Sequence, residues 1–158
     1  MKTIVVGYDG SEASDLALER VAELAPLLQA TVIVTSVETP VATAGLSDAY
    51  LSPAPLGDVE LDVERQQRER EDRDGLLARA RTYFHERGIV AEVVRAVGPP
   101  VDEIIEVAER HHADLIVVGT HEPGLLERLF SGSVSQGVVR RAHCDVLVVH
   151  PQGKTAPE

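Results

Sequence analysis

Five short runs of this chain are built mainly from apolar, β-branched residues: Thr3 to Val6, Thr31 to Val34, Ile89 to Val94, Leu115 to Val118 and Val146 to Val149. A strand with one wet face alternates apolar and polar residues, so runs this continuous mark strands covered on both faces. Between them apolar residues recur at helical spacing. Ala13, Leu16, Ala17, Val21, Leu24 and Leu28 form one stripe, and Val101, Ile104, Ile105 and Ala108 form another behind the start signal Gly98, Pro99, Pro100. Ser135 to Arg141 reads as a last helix, with Arg140 and Arg141 at its negative end. Strands alternating with helices predict an α/β fold: a doubly wound, five-stranded parallel sheet with helices on both faces.

The chain has 158 residues, which suits one domain over 1–150 with a frayed tail over 151–158. Aromatic residues make up 3% and Trp is absent, so the core must come from Val, Leu, Ile and Ala. A net charge of -11 argues against nucleic acid and against anionic membrane surfaces, since both select basic patches. Local dipoles can still hold a small anion. Cys144 is the only cysteine, which excludes an internal disulfide and a Cys-rich metal site and leaves a small buried thiol as the expectation. No segment approaches the ~20 apolar residues of a membrane span, and no signal-peptide pattern precedes the first strand. The expected compartment is the cytoplasm.

Two segments break the rhythm. Glu38 to Gly57, rich in Pro, Gly and small residues, reads as a long loop. Asp58 to Asp74 carries eight acids and four arginines and runs on into Leu76, Leu77, Ala80 and Phe84, the pattern of a long helix with a solvated charged face.

Chemistry concentrates after the fourth run. Gly119 ends it, a loop follows, and Gly132 and Ser133 precede the last helix. Small residues let a backbone approach an anion, and the first helical N–H groups point at it. Ser133 with Gln136 fits a capping box, fixing the helix start. In a doubly wound sheet, ligands bind at the carboxyl ends of strands where strand order reverses, here between the first and fourth runs. The loop from Gly7 to Ser11 and the segment from Gly119 to Ser133 should meet there. Asp9 reads two ways: a cap or turn former, with Glu12 three residues on, or a carboxylate for an adenine amine, a ribose hydroxyl or a phosphate-held metal. His121 is either a phosphate contact or a plain loop histidine, and Arg128 either answers phosphate charge or sits on the surface. His111 and His112 lack the spacing of a zinc pair, and Gly153 to Thr155 lacks the upstream glycine of a phosphate loop. No nucleophile has a placed base, and the only lysines are Lys2 and Lys154, so no catalytic residue is assigned.

Val5 to Ser11, Gly98 with Pro99, Ala113 to Gly119, Gly132 to Ser135 and Cys144 to Val149 together resemble the universal stress protein family over nearly the whole chain. The resemblance implies an adenine nucleotide alpha hydrolase-like, Rossmann-like sheet and a homodimer formed through the last strand. In one branch it implies ATP binding through Gly-x2-Gly-x9-Gly-Ser/Thr. By position it places Gly7, Asp9, Val37, Val118, Gly119, His121, Glu122, Gly132, Ser133, Val134 and Ser135 around the nucleotide. Glu122 stands where the second glycine belongs: its side chain restricts the backbone, its charge opposes phosphate, and Pro123 removes a further N–H.

The expected function is therefore a stress-response protein that binds an adenine nucleotide for conformational signalling. The cofactor is ATP, or AMP or cyclic AMP in its place, with Mg2+ as a candidate companion, and any hydrolysis is slow. The rival is a nucleotide-free interaction module that docks an unnamed regulatory protein through the acidic helix and the loop from Glu38 to Gly57.

Overall fold

A computed structural model describes residues 1–39, 57–120 and 134–151, with side chains from residue 63 onward in the second stretch. The elements are β1 (Lys2–Gly7), α1 (Glu12–Leu28), β2 (Ala30–Glu38), α2 (Gly57–His85), β3 (Ala91–Val97), α3 (Pro100–Arg110), β4 (Leu115–Gly119), α4 (Val134–Arg141) and β5 (Asp145–Val149). The strands form one five-stranded sheet in the order β3-β2-β1-β4-β5, every pair parallel. This is the predicted doubly wound class, and the order reverses between β1 and β4 as expected.

Period-two alternation divides the core in two. Ile4, Val6, Val32, Val34 and Val117 pack with Ala17, Leu18 and Val21 of α1 and with Leu77, Ala80 and Phe84 of α2. Val5, Ile33, Ile116 and Val118 face the other way, onto Ile104, Val107 and Ala108 of α3 and Val138 of α4. In β1, Ile4, Val5 and Val6 are all fully buried, which is why that strand reads as an unbroken apolar run.

The boundaries moved where pairing overrode local pattern. β2 runs on to Glu38 because β3 accompanies it through Val37↔Ala96 and Glu38↔Val97. Ile89 and Val90 precede β3: the Ile89 N–H donates to the Phe84 carbonyl at 3.0 Å, closing a turn before the ladder starts at Ala91. Glu38 and Gly57, expected to bound a loop, belong to β2 and α2, and residues 40–56 lie outside the described residues, as do 152–158 of the tail. Cys144 is half-buried, and burial, then the Asp145 and Asp114 carboxylates, raise its thiol pKa, so it stays protonated near neutrality.

Helix α2 is 29 residues long, about 43 Å at 1.5 Å per residue, against 9 residues of β2. It runs antiparallel to the strands, with Phe84 at their amino ends and Leu76 against Gly10 at their carboxyl ends. Residues 63–72 therefore overhang the carboxyl edge and are exposed, apart from half-buried Glu69. From residue 63 to 72 the charged run is a solvated helix face, as predicted, and among the described residues the second half of the helix makes the contacts with the sheet.

Phe84 is fully buried and stands edge-on to Tyr83 with ring centres 5.4 Å apart. Phe84→Ala should lower the unfolding free energy by about 3–5 kcal/mol, because the rigid sheet beneath cannot close the cavity. Urea unfolding followed by circular dichroism checks this.

Candidate functional site

The reversal of strand order leaves β1 without a partner beyond Gly7, and the backbone groups at the sheet's carboxyl edge find partners elsewhere. The Tyr8 N–H donates to the Thr35 carbonyl at 2.8 Å, carrying the chain one residue past the β1 ladder. Tyr8 turns its ring into the core, and its hydroxyl donates to Asp15 at 2.9 Å. Burial first, and then the Asp15 bond, raise its phenol pKa. Asp9 is exposed and its carboxylate accepts the Ser11 N–H at 3.0 Å, so it shapes the turn. The helix cap is Ser11 rather than Asp9: its hydroxyl accepts the Ser14 N–H at 3.2 Å, while the Ser14 hydroxyl donates back to the Ser11 carbonyl at 3.0 Å. At Gly10 the backbone is left-handed, with φ +79°, and a Cβ there would lie 2.7 Å from Leu76 Cδ2. The turn is thus pinned from two sides, by its own caps and by α2.

Across the crevice, Gly119 ends β4 and the Thr120 N–H donates to the Val149 carbonyl at 3.0 Å, which extends the pairing with β5. A Cβ at Gly119 would sit 2.4 Å from the Ala13 carbonyl oxygen. This glycine therefore lets β4 and the first turn of α1 touch backbone to backbone. Gly7 is different: a Cβ there would meet Ile104 and Val118 at 3.4 and 3.5 Å, ordinary contact. Val118 is buried and Val37 half-buried, both on the α3 side of the sheet. Val134 begins α4 and is 39% exposed, and Ser135 is buried behind it. His121, Glu122, Arg128, Gly132 and Ser133 lie outside the described residues.

The sequence reading missed the polar wall on the opposite side. Ser36 and Glu38 point from β2 toward α2, and both are buried. Arg73 of α2 donates from one Nη to the Ser36 hydroxyl at 3.4 Å and to the Val37 carbonyl. Thr35 Oγ1 and Glu38 Oε2 are buried and accept no hydrogen bond among the described residues. Arg73 had been counted within the solvated charge run. Its spacing from Leu76, Leu77, Ala80 and Phe84 places it on the buried stripe, and that was the available signal. The crevice is apolar where Val37 and Val118 line it and polar where Asp9, Ser36 and Arg73 stand. Among the described residues no three metal-ligating side chains converge, and no helix is long and apolar enough to cross a membrane.

Comparison with known proteins agrees with this geometry. The model of the universal stress protein family matches residues 1–150. Universal stress protein MJ0531 of Methanocaldococcus jannaschii is 35% identical over 94% of this chain and 81% of its own. The crystal structure of a universal stress protein in complex with cAMP superposes with a TM-score of 0.67 at 30% identity, covering 94% of this chain and 96% of that one. The structure of MJ0577 shares the fold, with a TM-score of 0.75 at 24% identity over 97% of this chain and 98% of its own.

The two glycines at the crevice should respond differently to a methyl group. Gly119→Ala forces β4 and α1 apart and should cost about 1–3 kcal/mol, the range for overpacking a tight core. Gly7→Ala should change stability by less than about 0.5 kcal/mol, since nothing must move. Parallel urea titrations of both variants test the contrast.

Proposed function

Since the chain belongs to the universal stress protein family, we propose that it binds an adenine nucleotide at the carboxyl ends of β1 and β4 and relays occupancy as a conformational signal. The observation that carries this reading is the reversal of strand order between β1 and β4, where the turn after β1 and the Gly119 end of β4 both lie against the first turn of α1. The side chains of Val37 and Val118 supply an apolar wall, which suits a flat base. Support also comes from the relative solved with cAMP, which is 30% identical.

ATP is the ligand read from the spacing of Gly119, Gly132 and Ser133. Glu122 and the cAMP complex favour a second reading, in which the occupant is AMP or cyclic AMP and no triphosphate reaches the Glu122 corner. The site acts by binding, and no step is assigned to Mg2+. Calorimetry with ATP, AMP and cyclic AMP tests both readings. Glu122→Gly should tighten ATP binding about fivefold, the effect of relieving one repulsion of about 1 kcal/mol, and should change AMP less. Gly132→Val should abolish binding of both. Failure of all three nucleotides to bind either the wild type or Glu122→Gly would leave the interaction-module reading, for which the exposed first half of α2 is the candidate surface.

We also propose a homodimer. Among the described residues β5 is an edge strand, bonded to β4 alone, and Val146, Leu147 and Val148 are half-buried along it. An apolar edge of this kind is normally covered, and pairing with its two-fold mate covers it in a closed way. Light scattering at micromolar concentration should give twice the 17.0 kDa chain mass, and Val148→Lys should shift it toward monomer.

A further inference from the structure

Along a parallel strand, each residue points its N–H and C=O to one side, and the next residue points to the other. In β2 the Thr35 carbonyl faces β1, where it accepts the Tyr8 N–H, and the Glu38 carbonyl faces β3, where it accepts the Gly98 N–H at 2.9 Å. Val37, two residues from Thr35, therefore aims its backbone toward β1 at a level where the β1 ladder has ended at Gly7↔Thr35. Its carbonyl is the acceptor that the end of β1 leaves open to the crevice, and Arg73 has taken it.

We infer that Arg73 determines base specificity at this site by occupying the Val37 carbonyl, so that a nucleotide whose base offers an amine must displace it. The inference rests on the proposed nucleotide reading of the crevice. The guanidinium carries five N–H donors and no acceptor. While it sits on Val37, the wall presents donors to a base edge, which suits a base carbonyl and opposes a base amine. Once it leaves, the wall presents an acceptor and the preference reverses. Two features make departure feasible. The Ser36 contact is long at 3.4 Å, and Arg73 is the last residue of the buried stripe before the overhang. Glu38 also stands two residues from Ser36 on the same face of β2, and its buried Oε2 accepts no hydrogen bond among the described residues. That oxygen offers the guanidinium a second seat within the reach of a long side chain.

The test compares ATP with inosine triphosphate, which replaces the base amine by a carbonyl, on the full chain by calorimetry. Arg73→Met keeps most of the apolar stem and removes the donors. It should raise the ATP-to-inosine-triphosphate affinity ratio about fivefold, the effect of one hydrogen bond gained for one and lost for the other. Arg73→Lys, which retains a charged donor, should keep a ratio near wild type. Ser36→Ala, which loosens Arg73 without touching α2, should shift the ratio the same way by about twofold, and it serves if Arg73→Met does not fold. An unchanged ratio in Arg73→Met and Ser36→Ala, or an equal weakening of both nucleotides, overturns the proposal while leaving nucleotide binding intact. If neither triphosphate binds, AMP and inosine monophosphate are compared in the same way; absence of binding of all four in every variant and in wild type overturns the nucleotide reading and this proposal with it.

Discussion

The candidate site follows from the centre of β1 being fully desolvated and bonded on both sides. Ile4, Val5 and Val6 touch no solvent, so their backbone groups must be satisfied by β2 and β4. That requirement is met by β4 up to Val6 and by β2 up to Gly7, and then ends because the chain leaves the sheet toward α1. Past that point the same accounting continues with improvised partners: Tyr8 on Thr35, Thr120 on Val149, Arg73 on Val37. The crevice is the place where a rigid, dry ladder runs out of strand. A ligand there competes with existing hydrogen bonds as well as with water.

The parallel sheet and its reversal point were legible because burial on both faces writes a continuous apolar run. Elements set by pairing were less legible. Glu38 continues β2 because Val97 lies beside it, although a glutamate does not advertise a strand. Arg73 escaped notice because composition outweighed position: amid eight acids and four arginines, one residue in phase with Leu77 and Phe84 does not stand out. Gly119 was read as a cradle for phosphate, and its neighbourhood adds a second cause, contact with the Ala13 backbone, that no single-chain pattern encodes. Asp9 could be read as a cap or as a turn former, and only geometry separates the two: its carboxylate shapes the turn while the Ser11 hydroxyl caps the helix.

Helix α2 joins the site to the rest of the molecule. Leu76 fixes the Asp9 turn at Gly10, Arg73 reaches the end of β2, and Asp74 pairs with Arg95 of β3 at 3.2 Å. One helical turn thus touches three consecutive neighbours in the sheet order. Residues 63–72 beyond it make no such contact among the described residues. Surface ion pairs such as Arg65 with Glu69 stiffen that stretch only slightly.

The two edges of the sheet differ in a way that bears on solubility in a crowded solution. β3 carries exposed Glu92 and Arg95, whereas β5 is apolar from Val146 to Val149. A β5 strand that met the β3 edge of another copy would extend the sheet without limit, since each addition presents a fresh β5. Charges on β3 penalise that head-to-tail ribbon and leave self-pairing of β5 as the cheaper outcome. The placement of Glu92 and Arg95 thus disfavours a fibre, in keeping with the closed dimer proposed above.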